Sequence, residues 1–108
     1  MAALQGKIEN ELVLKLHVAP GKLTVQVVRA HNLEAKDDNG FSDPYVTLDF
    51  QKKSKKTKVI KKNLNPVWGE QFEFGFALNG SPLLFVKVWD HDVVGSNDFI
   101  GEECIDVT

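Results

Sequence analysis

Six aspartates are concentrated in two short polar stretches of the sequence. They are Asp37, Asp38 and Asp43 in the first aspartate loop (residues 34–43) and Asp90, Asp92 and Asp98 in the second (residues 90–98). Carboxylates about 4 Å apart repel by roughly 1 kcal/mol in water and about 4 kcal/mol at a surface-like dielectric. A cation between them would remove this repulsion, and oxygen ligands on flexible loops suit calcium better than magnesium or zinc. The spacing leaves two interpretations open, a calcium site or solvated loop carboxylates.

The segments around these loops alternate apolar and polar residues, which predicts β-strands that bury one face. Turn-forming residues such as Pro20-Gly21 and Asn79-Gly80 separate the strands. Seven strands are predicted: 11–18, 23–28, 44–50, 55–61, 71–76, 83–89 and 99–107. No stretch has sustained helical periodicity, so the fold class is all-β, an antiparallel β-sandwich. Because a sandwich gathers alternate loops at one end, the two aspartate loops could face each other.

The composition fits a single folded domain. The chain has 108 residues, 43% of them hydrophobic and 26% charged, with a net charge of −2. No apolar run approaches the roughly 20 residues that cross a bilayer, and residues 1–10 lack the pattern of a secretory signal. A cytoplasmic location is therefore expected. The single cysteine, Cys104, excludes an internal disulfide.

Three motifs carry a resemblance to a known family. Ser42-Asp43-Pro44-Tyr45-Val46, Asn63-Leu64-Asn65-Pro66-Val67-Trp68 and Trp89-Asp90-x-Asp92, with Asp98 and Ile100-Gly101 beyond it, resemble the signatures of C2 domains in order and spacing. The resemblance runs from Leu12 to the C-terminus.

The resemblance implies a set of calcium ligands. It implies that two calcium ions (Ca2+) are held by five carboxylates and by main-chain oxygens of Asp38 and His91. The carboxylates are those of Asp37, Asp43, Asp90, Asp92 and Asp98. A third ion is not expected, because Gly95 stands where some relatives carry a serine that helps to hold it.

The resemblance also implies a partner, the anionic phospholipid membrane, with phosphatidylserine as the expected lipid and peripheral membrane binding when calcium rises. Val93 and Val94, at the tip of the second aspartate loop, are suited to insertion, whereas Asp38 at the other tip is not. Shallow, asymmetric penetration led by the second loop is therefore expected. Local packing of the two valines is the alternative.

Seven lysines crowd residues 52–62, and such a charge run is usually a solvated face that also protects a sheet edge. Lys56 and Lys58, however, resemble the lysine pair that binds phosphoinositides in protein kinase C-like C2 domains. Tyr45, Trp89 and Asn97 match residues around the same pocket. Thr47 and Asp49 stand where those relatives have lysines, so the resemblance implies a half-built phosphoinositide pocket.

Functions of other classes fit less well. The three histidines, His17, His31 and His91, form no catalytic arrangement with a serine or cysteine, so the chain is not expected to be an enzyme. An EF-hand loop starting at Asp90 fails at its twelfth position, Gly101. The chain is acidic overall and has no nucleic-acid module, so no nucleic acid is expected as a partner. A calcium-independent protein-interaction module of the same fold is the main alternative.

The strand count raises a question about the sheet edge. C2 domains have eight strands, and the resemblance favours the synaptotagmin-like (type I) topology of the Greek-key sandwich, in which the eighth strand follows the seventh. We expect residues 1–10 to form an N-terminal tail and residues 11–108 to form the domain, with no eighth strand before Thr108. An unfilled strand position is a template for pairing with another chain. Two outcomes are therefore expected as alternatives, a strand-exchanged homo-oligomer or a domain truncated from a longer protein.

Overall fold

The computed structural model describes residues 2–5, 11–93 and 95–108, and this part of the chain contains strands and no helix. The strands are β1 (Ala2–Gln5), β2 (Glu11–Ala19), β3 (Lys22–His31), β4 (Pro44–Phe50), β5 (Lys53–Lys56), β6 (Val67–Gly75), β7 (Leu83–Asp90) and β8 (Asp98–Asp106). They form two four-stranded antiparallel sheets, in the orders β1-β2-β3-β6 and β5-β4-β7-β8. The predicted all-β sandwich is confirmed.

The core lies between the sheets, where the apolar residues of each alternating segment meet. Leu14 of β2 and Val25 of β3 are fully buried. Phe50 of β4 packs edge-on against Phe74 and Phe76, with ring centroids 5.8 and 5.2 Å apart. The period-two patterns therefore place the expected faces inside, since one face of each strand is removed from water.

The N-terminal segment contributes an edge strand to the first sheet. β1 pairs antiparallel with β2, with Ala2 opposite Leu14 and Gln5 opposite Glu11. Residues 2–5, expected to lie in an N-terminal tail, are therefore part of the sandwich. Sequence patterning missed β1 because a four-residue strand is too short to show an alternating pattern, whereas its main chain needs only a free edge with which to pair.

The lysine-rich strand is shorter than predicted. β5 ends at Lys56, although the chain continues alongside β4, where the N–H groups of Thr57 and Ile60 donate to the carbonyls of Val46 and Pro44. The Thr57 hydroxyl accepts a hydrogen bond of 2.9 Å from the N–H of Val46. A side chain thus replaces a main-chain acceptor, and the regular ladder stops there.

The sheet β5-β4-β7-β8 brings the aspartate loops to one end of the sandwich. β4 and β8 begin where β7 ends, because neighbouring strands are antiparallel. The turns at 51–52 and 76–82 lie at the opposite end. Among the described residues, no helix is long and apolar enough to cross a membrane.

Candidate metal centre

The register in which β4, β7 and β8 pair brings most of the candidate carboxylates together. Asp90, the last residue of β7, is paired with Pro44 on one side and with Asp98 on the other. Asp43 immediately precedes Pro44, the first residue of β4, so three carboxylates meet at one end of the sheet, beside the ends of three neighbouring strands. The N–H of Asp43 donates to Oδ1 of Asp90 at 2.7 Å, and the N–H of His91 donates to the carbonyl of Asp43 at 2.9 Å.

Asp37 comes from the loop that links the two sheets. The loop turns tightly: the N–H of Asp37 donates to the carbonyl of Phe41 at 2.9 Å, and the N–H of Gly40 donates to the carbonyl of Asp37 at 3.1 Å. Gly40 has a φ of 84°, which glycine adopts without strain. Ser42, fully buried, closes the neck of the loop by donating to the carbonyl of Glu34 and accepting from the N–H of Lys36. Ser42 begins the first motif named above, but the sequence did not indicate that it positions the loop.

The five predicted carboxylates form two groups. Asp37, Asp43 and Asp90 form one, Asp90, Asp92 and Asp98 form the other, and within each group one ligand oxygen per residue lies within 4.8 Å of the others. Asp90 belongs to both groups. This is the arrangement that two neighbouring cations bridged by one carboxylate would require.

Asp90 is the member in the most constrained position. Its side chain has no exposed surface, and Oδ2 is the one buried side-chain polar atom of the described residues that lacks a hydrogen-bond partner. Burial raises the pKa of Asp90 to about 6; the hydrogen bond from Asp43 lowers it, and the contact with Asp37 and the charges of Asp37 and Asp92 raise it. A buried polar atom without a partner is costly, and a cation would satisfy it. The residues therefore fit a metal ion.

Asp92 is subject to the same crowding. Partial desolvation raises the pKa of Asp92, and the charges of Asp98 and Asp37 raise it further. The N–H of Asp92 donates to Oδ1 of Asn97 at 2.8 Å, which ties the two arms of the second aspartate loop together.

Two predicted main-chain ligands lie beside these groups. Asp38 is exposed in the first aspartate loop and contributes no carboxylate to either group. His91 is half-buried, with its ring edge-on to Tyr45 at a centroid distance of 6.2 Å. Ligation through the carbonyls of Asp38 and His91 stays a prediction.

Each aspartate loop carries an exposed apolar side chain. Val93 is 90% exposed, as insertion into a bilayer requires, and Val94 lies outside the described residues. Phe41 of the first loop is 42% exposed and was not among the predicted lipid contacts, although its place in the polar loop, four residues after Asp37, is visible in the sequence. Phe41 gives the first loop an exposed apolar group as well. Penetration led by the second loop stays a prediction.

Tyr45, Trp89 and Asn97 line one hollow of about 580 Å³ on the outer face of the sheet. Asn97 Nδ2 donates to the Tyr45 hydroxyl at 2.8 Å, and Trp89 Nε1 donates to the Thr47 hydroxyl at 3.0 Å. Lys87 also lines the hollow. Lys87 was missed, although it is two residues before Trp89 and therefore on the same strand face.

The two predicted lipid-contacting lysines follow this face. Lys56 is paired with Thr47 in the ladder, and both Lys56 and Lys58 are exposed on either side of the buried Thr57. Asp49 and Ser54, which are hydrogen-bonded to each other, line the hollow as well. The hollow therefore has an acidic side, and neither Lys56 nor Lys58 is among its lining residues. Phosphoinositide binding there stays a prediction.

The structure is a two-sheet β-sandwich with two acidic loops at one end. Comparison with known proteins identifies the family that has this architecture. The family model described as the C2 domain matches residues 21–108, so this chain belongs to the C2 domain family, typically a non-catalytic binding module. The chain is 37% identical to the Ras GTPase-activating protein 4 of Mus musculus over 105 residues, which are 94% of this chain and 13% of that protein. It thus spans a small part of that relative.

Solved structures agree. The RIM C2A domain of Drosophila superposes with a TM-score of 0.80 at 30% identity, over 93% of this chain and 87% of that one. The calcium-bound C2A and C2B domains of Extended-Synaptotagmin 2 give a TM-score of 0.70 at 30% identity, over 83% of this chain and 35% of that one.

Proposed function

We propose that this domain binds anionic phospholipid membranes through the end that carries the two aspartate loops, with calcium as the required cation. The observation that carries the proposal is Asp90, a fully buried carboxylate that is shared by both acidic groups and has an unpartnered oxygen. The calcium-bound structure of a relative at 30% identity supports the choice of ion.

The aspartates would act by binding calcium ions, which place positive charge at the loop end of the domain. Asp37, Asp43 and Asp90 would hold one calcium ion, and Asp90, Asp92 and Asp98 a second. Bound calcium supplies charge that compensates the carboxylates and attracts lipid phosphate. Val93 and Phe41, which flank the centre, then contribute apolar contact with the bilayer. Screening over about 8 Å at physiological ionic strength should weaken the charge component as salt rises.

The test is co-sedimentation with vesicles of phosphatidylcholine, with and without phosphatidylserine, in calcium or in a chelator. Wild type should sediment only with phosphatidylserine and calcium together, and Asp90→Asn/Asp92→Asn should stay in solution. Asp106→Asn/Glu103→Gln, in the second half of β8, removes the same charge outside both acidic groups and should behave as wild type. Sedimentation in chelator would contradict the calcium requirement. No sedimentation under any of these conditions would favour the alternative, a calcium-independent protein-interaction module.

A second contact on the outer sheet face is supported by the hollow beside Lys87. Lys56 and Lys58 would approach polyphosphoinositide headgroups there, each contributing about 1 kcal/mol near an anionic surface. Lys53 and Lys55 offer a matched control, because they are paired with the buried Phe50 and Leu48 and so project from the other face of β5. Lys56→Ala/Lys58→Ala should weaken binding to phosphoinositide-rich vesicles, and Lys53→Ala/Lys55→Ala should not. Equal binding of the two double variants would make the lysine run a solubility feature.

A further inference from the structure

The turn Lys62–Pro66 is hydrogen-bonded both to the segment before the first aspartate loop and to the end of that loop. Where the chain enters the first aspartate loop, the carbonyls of Leu64 and Pro66 accept from the N–H groups of Leu33 and Ala30, each at 2.9 Å. Oδ1 of Asn65 accepts from the N–H of Asn32, also at 2.9 Å.

Where the chain leaves the first aspartate loop, the same turn contacts the proposed cation ligands. The N–H of Asn63 donates to the carbonyl of Ser42 at 3.0 Å, and the N–H of Lys62 donates to Oδ1 of Asp43 at 2.8 Å. One short turn thus joins the start of the loop to its end and bonds directly to a carboxylate of the first acidic group.

Lys62 makes its contact in a conformation that lysine seldom adopts. Its φ is 49°, in the left-handed region that favours glycine. A strained residue persists where the surrounding structure determines it, and such residues concentrate at functional sites. Here the conformation directs a main-chain N–H at a cation ligand, so the contact does not depend on the lysine ammonium group.

Asp43 is consequently held at three points. Its N–H is bonded to Asp90, its carbonyl to His91 and its carboxylate to Lys62. A side chain already fixed in one orientation loses less conformational entropy when it binds a ligand, and this preorganisation raises affinity.

We propose that the turn Lys62–Pro66 is a clamp that preorganises the first aspartate loop, and that Lys62 is its positioning residue for the carboxylate of Asp43. The proposal rests on the calcium function proposed above, and it adds a residue that none of the ligand motifs contains. Lys62 acts through its main chain and touches no cation.

Calorimetric titration with calcium alone tests the clamp. Lys62→Pro removes the N–H and cannot adopt a positive φ, so we expect the calcium Kd to rise tenfold or more. Lys62→Gly keeps the N–H and adopts the conformation without strain, so it should retain the wild-type Kd within about twofold. Asn65→Ala, which removes the acceptor for Asn32, should raise the Kd several-fold.

An effect of a variant on the stability of the fold must be distinguished from an effect on the position of the Asp43 carboxylate. Thr57→Val perturbs the same segment away from the acidic groups, and it should lower the melting temperature while leaving the Kd unchanged. Folded Lys62→Pro and Asn65→Ala proteins with the wild-type Kd would overturn the clamp.

Amide exchange in the metal-free protein gives a readout that does not require Lys62→Pro to fold. The Lys62 amide should be protected in wild type and in Asp43→Asn, which keeps the acceptor oxygen, and should lose protection in Asp43→Ala. Rapid exchange of this amide in wild type would also overturn the proposal. Absence of calcium binding by wild type would instead refute the proposed function and leave the exchange result to decide the clamp.

Discussion

The main-chain N–H of Asp43 donates a 2.7 Å hydrogen bond to Oδ1 of Asp90, so one residue of the acidic centre holds another across the ends of β4 and β7. This bond uses the one oxygen of Asp90 that has a protein partner. The other oxygen is buried without one. The metal-free domain therefore contains an unsatisfied buried carboxylate, and the first two predictions concern its energetic cost.

We predict that Asp90→Asn stabilises the metal-free domain and abolishes its stabilisation by calcium. The amide keeps an oxygen for the N–H of Asp43 and removes a buried charge that Asp37 and Asp92 repel. Wild type should gain about 2.7 kcal/mol at a calcium concentration one hundred times Kd. Thermal unfolding of both proteins with calcium and with chelator measures both effects. Equal calcium shifts in the two proteins would remove Asp90 from the centre.

We predict that Asp90 makes the metal-free domain less stable as pH rises from about 4 to about 6. Its pKa is raised from 3.8 to about 6 in the folded protein, so the folded state binds this proton more tightly than the unfolded state does. The protonated Asp90 carboxyl therefore contributes its full stability below a pH of about 4. This contribution, roughly 3 kcal/mol, is lost as the pH rises past about 6. The measurement is the free energy of unfolding of wild type minus that of Asp90→Asn across this range. A flat difference would contradict the raised pKa.

We predict that both aspartate loops contact the bilayer. Val93→Asp and Phe41→Asp should each weaken calcium-dependent vesicle binding by roughly 1 to 3 kcal/mol, because each removes exposed apolar surface that the membrane would bury. Calcium affinity in solution should change little in comparison. Leu78→Asp is the matched control, since Leu78 is 99% exposed but lies in the loop between β6 and β7 at the opposite end. If Phe41→Asp bound as well as Leu78→Asp, insertion would involve the second loop alone.

We predict that Thr57→Val destabilises the domain by about 1 to 3 kcal/mol. The variant leaves the buried N–H of Val46 without its acceptor, and an unsatisfied buried donor costs about this much. Thr57→Ser keeps the hydroxyl and should lose less. Denaturant unfolding of the three proteins gives the comparison, and a Thr57→Val protein as stable as wild type would contradict the assigned hydrogen bond.

We predict that removing residues 1–6 lowers the melting temperature and promotes association. The deletion removes β1 and so opens the edge of β2 from Glu11 to Leu14, which is available to pair with a second copy. Light scattering should show a monomer for the full chain and a concentration-dependent dimer for the shortened one. A dimer of the full chain would instead support the strand exchange expected from the sequence.

The sequence by itself determined the fold class and the candidate ligands. Period-two alternation is a local property, so segments such as Leu23 to Val27 show their buried face without knowledge of their neighbours. The aspartates, likewise, stand at a spacing and beside motifs that can be read along the chain. Loop positions follow because turn residues mark the strand ends.

Only the tertiary structure decided how these residues meet. The sharing of Asp90 depends on the register of β4, β7 and β8, which joins residues 47 positions apart. The pairing of β1 depends on a free edge of β2, and the main-chain N–H of Lys62 is hydrogen-bonded to a carboxylate from the first aspartate loop. Each of these features arises from contacts between segments distant in sequence, and no local pattern records such contacts.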